Sequence, residues 1–77
     1  MVLLCRIERL KRIDKCIRMH ATGSPKEFAY KIGISESKLY EELNLLKELG
    51  APILFNKYSM SYQYIYPVKL VFELQEL

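Results

Sequence analysis

Residues 24–50, SPKEFAYKIGISESKLYEELNLLKELG, constrain the fold more than any other part of the chain. They carry start and stop signals for two consecutive helices, at about 25–32 and 36–49. Ser24-Pro25-Lys26-Glu27 is a capping box: the Ser24 hydroxyl is placed to accept from the Glu27 amide, and the Glu27 carboxylate to reach back to the cap. Pro25 stands at the first helical position, where its missing N–H costs nothing. Phe28, Ala29 and Ile32 form the apolar face. Gly33 supplies a turn at positive φ, and Ile34 fills the angle between the helices. Ser35 caps the next helix, with Glu36 favourable in its first turn. Leu39, Leu43 and Leu46 make the core stripe, with Leu49 near its edge. At 100° per residue, Ser37, Tyr40, Glu41, Asn44 and Glu48 fall on the opposite, outward face. Gly50 is the C-terminal cap, and Pro52 prevents continuation.

The flanking segments have different periods. Over residues 3–20, Leu3, Ile7, Leu10, Ile13 and Ile17 recur at three- and four-residue spacing, which predicts an amphipathic helix that Gly23 can end. From Ile53 the period becomes 2. Residues 53–58 and 62–66 are rich in β-branched and aromatic side chains, with Ser59, Met60 and Ser61 between them. This predicts a β-hairpin over 53–66, its second strand ended by Pro67. Val68, Leu70, Phe72 and Leu74 alternate with mostly polar residues and favour a third strand over 68–74, or else a terminal helical turn. The order helix, helix, helix, hairpin, strand is that of a single α+β domain spanning residues 1–77, with a two-stranded wing closing a three-helix core.

At 77 residues the chain is near the lower size limit for folding alone. With 51% hydrophobic and 27% charged residues it is an ordinary globular composition, not a disordered one. Net charge is +3, unevenly spread. Residues 1–20 carry six cationic against two anionic side chains, and residues 21–77 carry six Lys against seven Glu. Every Arg lies in the first segment, so a polyanion-attracting field is expected to centre there. On one helix, Cys5 and Cys16 would stand roughly 16 Å apart at 1.5 Å rise per residue. A disulfide needs Cα atoms within about 7 Å, so they cannot pair, which fits a reducing cytosol and a cytoplasmic protein. No run approaches the ~18 apolar residues of a membrane span.

Chemistry-bearing constellations are few. Cys16 and His20, four apart on the first helix, could hold two metal ligands, but zinc needs three or four, so no metal site is expected. There is no phosphate-binding glycine loop, no nucleophile with a neighbouring base, and a single His; together with the small size, which leaves little room for a concave pocket, this predicts a non-enzyme without cofactor. Tyr58, Tyr62, Tyr64 and Tyr66 are expected to pack the sheet, because base stacking would also need a basic groove along the strand.

Two helices at the spacing of residues 24–50, joined by a short turn containing Gly, form a helix-turn-helix unit, whose second helix is shaped for the DNA major groove. Residues 11–66 together resemble the winged helix-turn-helix domain of the biotin-operon repressor type, found in small bacterial transcriptional regulators. The resemblance rests on Ser24-Pro25-Lys26-Glu27-Phe28-Ala29, on Ile32-Gly33-Ile34-Ser35, on Leu39, Leu43, Leu46, Leu49 and Gly50, and on the strand at residues 62–66. It implies binding of double-stranded DNA, with the third helix in the major groove and the wing on the backbone. By position, it implies Ser37, Lys38, Tyr40, Glu41 and Asn44 as base-reading candidates and Lys26, Ser35 and Lys57 as phosphate candidates. A homodimer would multiply weak half-site contacts, with Leu3 and Leu4 of the first helix or the 68–74 strand as self-association surfaces. The third helix, however, carries four Glu against two Lys. That balance opens the alternative of a protein-interaction module using an acidic third helix, or simply a solvated face in which Lys38 supports Glu42.

Overall fold

The structure, a computed structural model, describes residues 2–71, with side chains from residue 5 onward. Three helices, α1 (Val2–Arg18), α2 (Pro25–Ile32) and α3 (Glu36–Glu48), precede two strands, β1 (Ile53–Asn56) and β2 (Ser61–Tyr64), which form an antiparallel hairpin. The architecture is α+β. No helix among the described residues is long and apolar enough to cross a membrane.

All three helices end in the same way. A left-handed residue follows the last turn, and its amide and the next one bond back to two carbonyls of that turn. After α2, Gly33 (φ 84°) donates to Tyr30 O at 3.1 Å and Ile34 donates to Ala29 O at 3.0 Å. After α3, Gly50 (φ 101°) donates to Lys47 O and Ala51 to Leu46 O. After α1 the left-handed residue is His20 (φ 52°), which donates to Ile17 O, while Ala21 donates to Cys16 O. The first helix therefore stops at Arg18 and not at residue 20 or at Gly23, because the amides of His20 and Ala21 turn back onto it.

Leu10, Ile13 and Ile17 of α1, Phe28, Ala29 and Ile32 of α2, and Leu39, Leu43 and Leu46 of α3 meet Ile53 and Tyr62 of the hairpin in one core. The Tyr62 ring lies edge-on to Phe55 (centroids 4.9 Å apart) and tilted against Phe28 (5.9 Å). The strand pairs are Ile53 with Tyr64, Leu54 with Gln63, Phe55 with Tyr62 and Asn56 with Ser61.

Both strand limits differ from the alternation-based expectation. β1 stops at Asn56, not Tyr58, because the Asn56 side-chain oxygen accepts from the amides of Tyr58 (2.8 Å) and Ser59 (3.2 Å), replacing the ladder with a turn. Met60 (φ 53°) completes that turn, and Ser61 belongs to β2. At the other end Ile65 donates to Pro52 O at 2.8 Å, but Pro52 has no N–H to return, so β2 ends at Tyr64, short of Pro67. Residues 68–71 form no strand, and the rest of the expected 68–74 strand lies outside the described residues.

A buried pair of hydroxyls moors the hairpin to the α1–α2 connection. Thr22, on that connection, is fully buried, as is Ser61 at the start of β2. Their oxygens lie 3.1 Å apart; the Tyr62 amide donates to Thr22 Oγ1 at 2.8 Å, and the Thr22 amide to Ser61 Oγ at 3.3 Å. β2 thus has β1 along one edge, with Thr22 taking a donor on the other.

Candidate nucleic-acid interface

The caps that start α2 and α3 fix the shape of the candidate interface. Ser24 Oγ accepts from the Glu27 amide at 3.2 Å, and the Glu27 carboxylate accepts from the same hydroxyl at 3.0 Å, closing the box through the side chain. Ser35 Oγ accepts from the Lys38 amide at 3.1 Å. Ser35, a phosphate candidate, is therefore committed to its helix as an acceptor. Lys26 is exposed on the first turn of α2, and Lys57 is exposed in the hairpin turn.

Of the base-reading candidates, Ser37, Tyr40, Glu41 and Asn44 are exposed on the side of α3 away from the core. Lys38 is half-buried and its ammonium lies 3.4 Å from Glu41 Oε2, so these two form a local pair. Lys38 does not support Glu42. Glu42 is fully buried, at 0% exposure, and its carboxylate receives Arg6 Nη2 of α1 at 2.9 Å, with Arg9 Nη1 at 3.9 Å. It is a core residue and not part of a solvated acidic face. Without it the remaining charges of α3 are Glu36, Glu41 and Glu48 against Lys47 and the half-buried Lys38, a balance of −1 in place of −2. Helical projection carries a sequence signal for this. At 100° per residue Glu42 falls in the middle of the arc formed by Leu39, Leu43, Leu45, Leu46 and Leu49.

The arginines of α1 are not a free basic patch. Arg6 and Arg9 face Glu42. Arg12 donates to Lys31 O at 3.2 Å. Arg18 donates to Asp14 at 2.8 Å and to Val68 O, with its guanidinium 5.6 Å from the Tyr64 ring centre. The hydrogen bond to Asp14 pushes the Arg18 pKa further above its ordinary value. Asp14 also accepts from the Tyr64 hydroxyl. Burial first, and then Asp14, raise the Tyr64 phenol well above the usual tyrosine range; burial raises Tyr62 as well. Of the cations on α1, Lys11 and Lys15 are left exposed without a partner among the described residues.

The tyrosines divide. Tyr62 packs in the core and Tyr64 against α1, but Tyr58 is 100% exposed at the hairpin turn and Tyr66 is exposed beyond β2. Packing of the sheet therefore accounts for two of these four. The helical spacing of Cys16 and His20 does not survive either: α1 ends between them, and His20 takes the left-handed conformation. No cluster of three metal-ligating side chains occurs among the described residues.

One concavity is larger than so short a chain led us to expect. A surface depression of about 670 Å³ runs along the outer side of α2, floored by Ala29, Tyr30 and Ile34 and rimmed by Lys26, Lys31, Glu27 and Glu36. Tyr30 within it is 88% exposed. Neither a protein family nor a curated protein nor a solved structure matches this chain.

Proposed function

We propose that the chain is a small DNA-binding protein of winged helix-turn-helix type that acts in transcription regulation, with α3 as the reading helix and the hairpin as the wing. One observation carries the reading. α3 follows α2 across a turn closed by Gly33, and it holds Ser37, Tyr40, Glu41 and Asn44 exposed together on the face opposite its leucines. These side chains match base-edge chemistry: Asn pairs with adenine bidentately, and Glu accepts from cytosine N4. Withdrawal of Glu42 into the core lessens the repulsion that an acidic helix would meet at phosphate. The phosphate contacts fall to lysines: Lys26 at the start of α2, and Lys57 at the hairpin turn.

A second reading, a protein-interaction module, is favoured by the depression along α2 with Tyr30 exposed in it. Selection from random-sequence duplex DNA, titrated across salt, separates the two. Enrichment of one motif, with affinity falling steeply as salt rises, supports DNA reading. In that case Asn44→Ala relaxes the preference at one base position by about 1–3 kcal/mol. Lys26→Ala weakens all sequences alike and lowers the salt slope by about 1. No binding at low salt sinks the reading and leaves protein contact.

A further inference from the structure

We propose that Glu42 is a positioning residue: its bond to Arg6 selects the rotation of α3 about its own axis, and so decides which side chains that helix displays. The inference holds whatever binds the displayed face. Leucine packing on its own does not fix that rotation. The five leucines of α3 span an arc of roughly 160° at 100° per residue. The fold buries Leu39, Leu43 and Leu46, half-buries Leu45, and leaves Leu49 61% exposed. Turning α3 by roughly 60° would exchange Leu43 for Leu45 and Leu49 against the core, with similar apolar area buried. It would also carry Tyr40 to the centre of the outer face and Glu41 and Glu48 toward its margin.

The polar contact discriminates between these settings where the apolar ones do not. Among the described residues, the Arg6–Glu42 hydrogen bond, at 2.9 Å, is the only side-chain hydrogen bond between α1 and α3. Arg9 approaches the same carboxylate at 3.9 Å. A bond of that length tolerates little rotation: at 100° per residue the alternative setting would move Glu42 from the edge of the core-facing arc, where Arg6 and Arg9 meet it, to the centre of that arc. Its burial also argues against a role in stability. The carboxylate is fully buried although the Arg6 side chain is 43% exposed, so desolvation of Glu42 offsets much of the attraction, and apolar side chains of similar volume often replace such a pair without loss. Glu42 Oε2 and Arg6 Nε are buried without hydrogen-bond partners, so this pair is not an optimised one. Buried polar groups of this kind are best attested as devices that specify one packing over another.

The test is the double variant Arg6→Leu/Glu42→Leu beside Glu42→Gln, whose amide oxygen can still accept from Arg6. Methyl NMR with a soluble paramagnetic probe reads the rotation: in the native setting Leu49 broadens and Leu43 is protected. The expected result is that the double variant melts at or above the wild-type temperature but shows doubled or exchange-broadened α3 signals, with Leu49 partly protected and Leu43 partly exposed. Glu42→Gln restores one set of signals with the wild-type pattern. A single wild-type pattern in the double variant overturns the proposal, since leucines would then suffice. Loss of folding in either variant overturns it too, because the pair would then supply stability and not orientation.

Discussion

Replacing Thr22 with valine keeps the shape of a fully buried side chain and removes one oxygen. That oxygen accepts the Tyr62 amide at 2.8 Å and touches Ser61 Oγ at 3.1 Å. Tyr62 is a core residue, and its amide points away from β1 toward Thr22. Leaving a buried donor unpaired costs about 1–3 kcal/mol, and with the Ser61 contact also lost, Thr22→Val is expected to cost about 2–3 kcal/mol. A chain of this length has roughly 4–12 kcal/mol of total stability. At about 4–8 °C per kcal/mol, the melting temperature should fall by roughly 8–24 °C. Ser61→Ala leaves the Tyr62 amide paired with Thr22 Oγ1 and removes the hydroxyl–hydroxyl contact and the longer bond from the Thr22 amide, 3.3 Å, and should cost about 1 kcal/mol. The double variant should cost less than the sum by about 0.5–1.5 kcal/mol, because the hydroxyl–hydroxyl contact is lost only once. Urea denaturation of the four proteins gives the cycle. A Thr22→Val change within about 0.5 kcal/mol of wild type would refute the reasoning, as the size of an ordinary surface substitution. Strict additivity would refute the coupling.

Three further outcomes are expected. His20→Gly should raise stability by about 0.5–1 kcal/mol in thermal melts, because His20 is held at φ 52° where glycine is unstrained; a lower midpoint would show that the imidazole makes contacts worth more than the strain. The phenols of Tyr62 and Tyr64 have folded pKa values above the ordinary 10.0, so their contribution is complete below about pH 10 and is lost as pH rises toward the folded values. Stability should therefore fall above pH 10, and Tyr64→Phe should flatten that fall in urea titrations against pH. Arg18→Lys should lower the melting temperature even though charge is kept, since an ammonium does not reproduce the fork that joins Asp14 and Val68 O.

What was legible in the sequence was local. Ser24, Pro25, Gly33 and Ser35 act through neighbours three or four residues away, so the limits of α2 and α3 follow from spacing. The end of α1 was hidden because a histidine, not a glycine, takes the left-handed position. The strand limits at the hairpin turn were misjudged because Asn56 replaces ladder bonds through its side chain, which alternation does not encode. Glu42 carries a partner 36 positions away, and Thr22 one 39 away. A residue type known for solvated surfaces gave no sign of its partner, although its place among the leucines on a helical projection signalled its burial. The outward positions of Ser37, Tyr40, Glu41 and Asn44 were readable because one helical period sets them.

The arginines of α1 have a consequence for how this chain can change. Arg6 and Arg9 hold α3, Arg12 holds the last turn of α2, and Arg18 holds the segment after the hairpin. Half or more of the positive charge on that helix is thus tied to internal contacts, while Lys11, Lys15, Lys26, Lys47 and Lys57 are exposed. The two cation types have separate careers. Those five lysines can be gained or lost to tune attraction to a polyanion without disturbing the packing, unlike Lys31, which donates to Ala21 O at 2.6 Å. An arginine exchanged for the same purpose would loosen the joint it closes. Among variants of this chain, the long-range field should drift through its lysines while the arginine positions stay fixed.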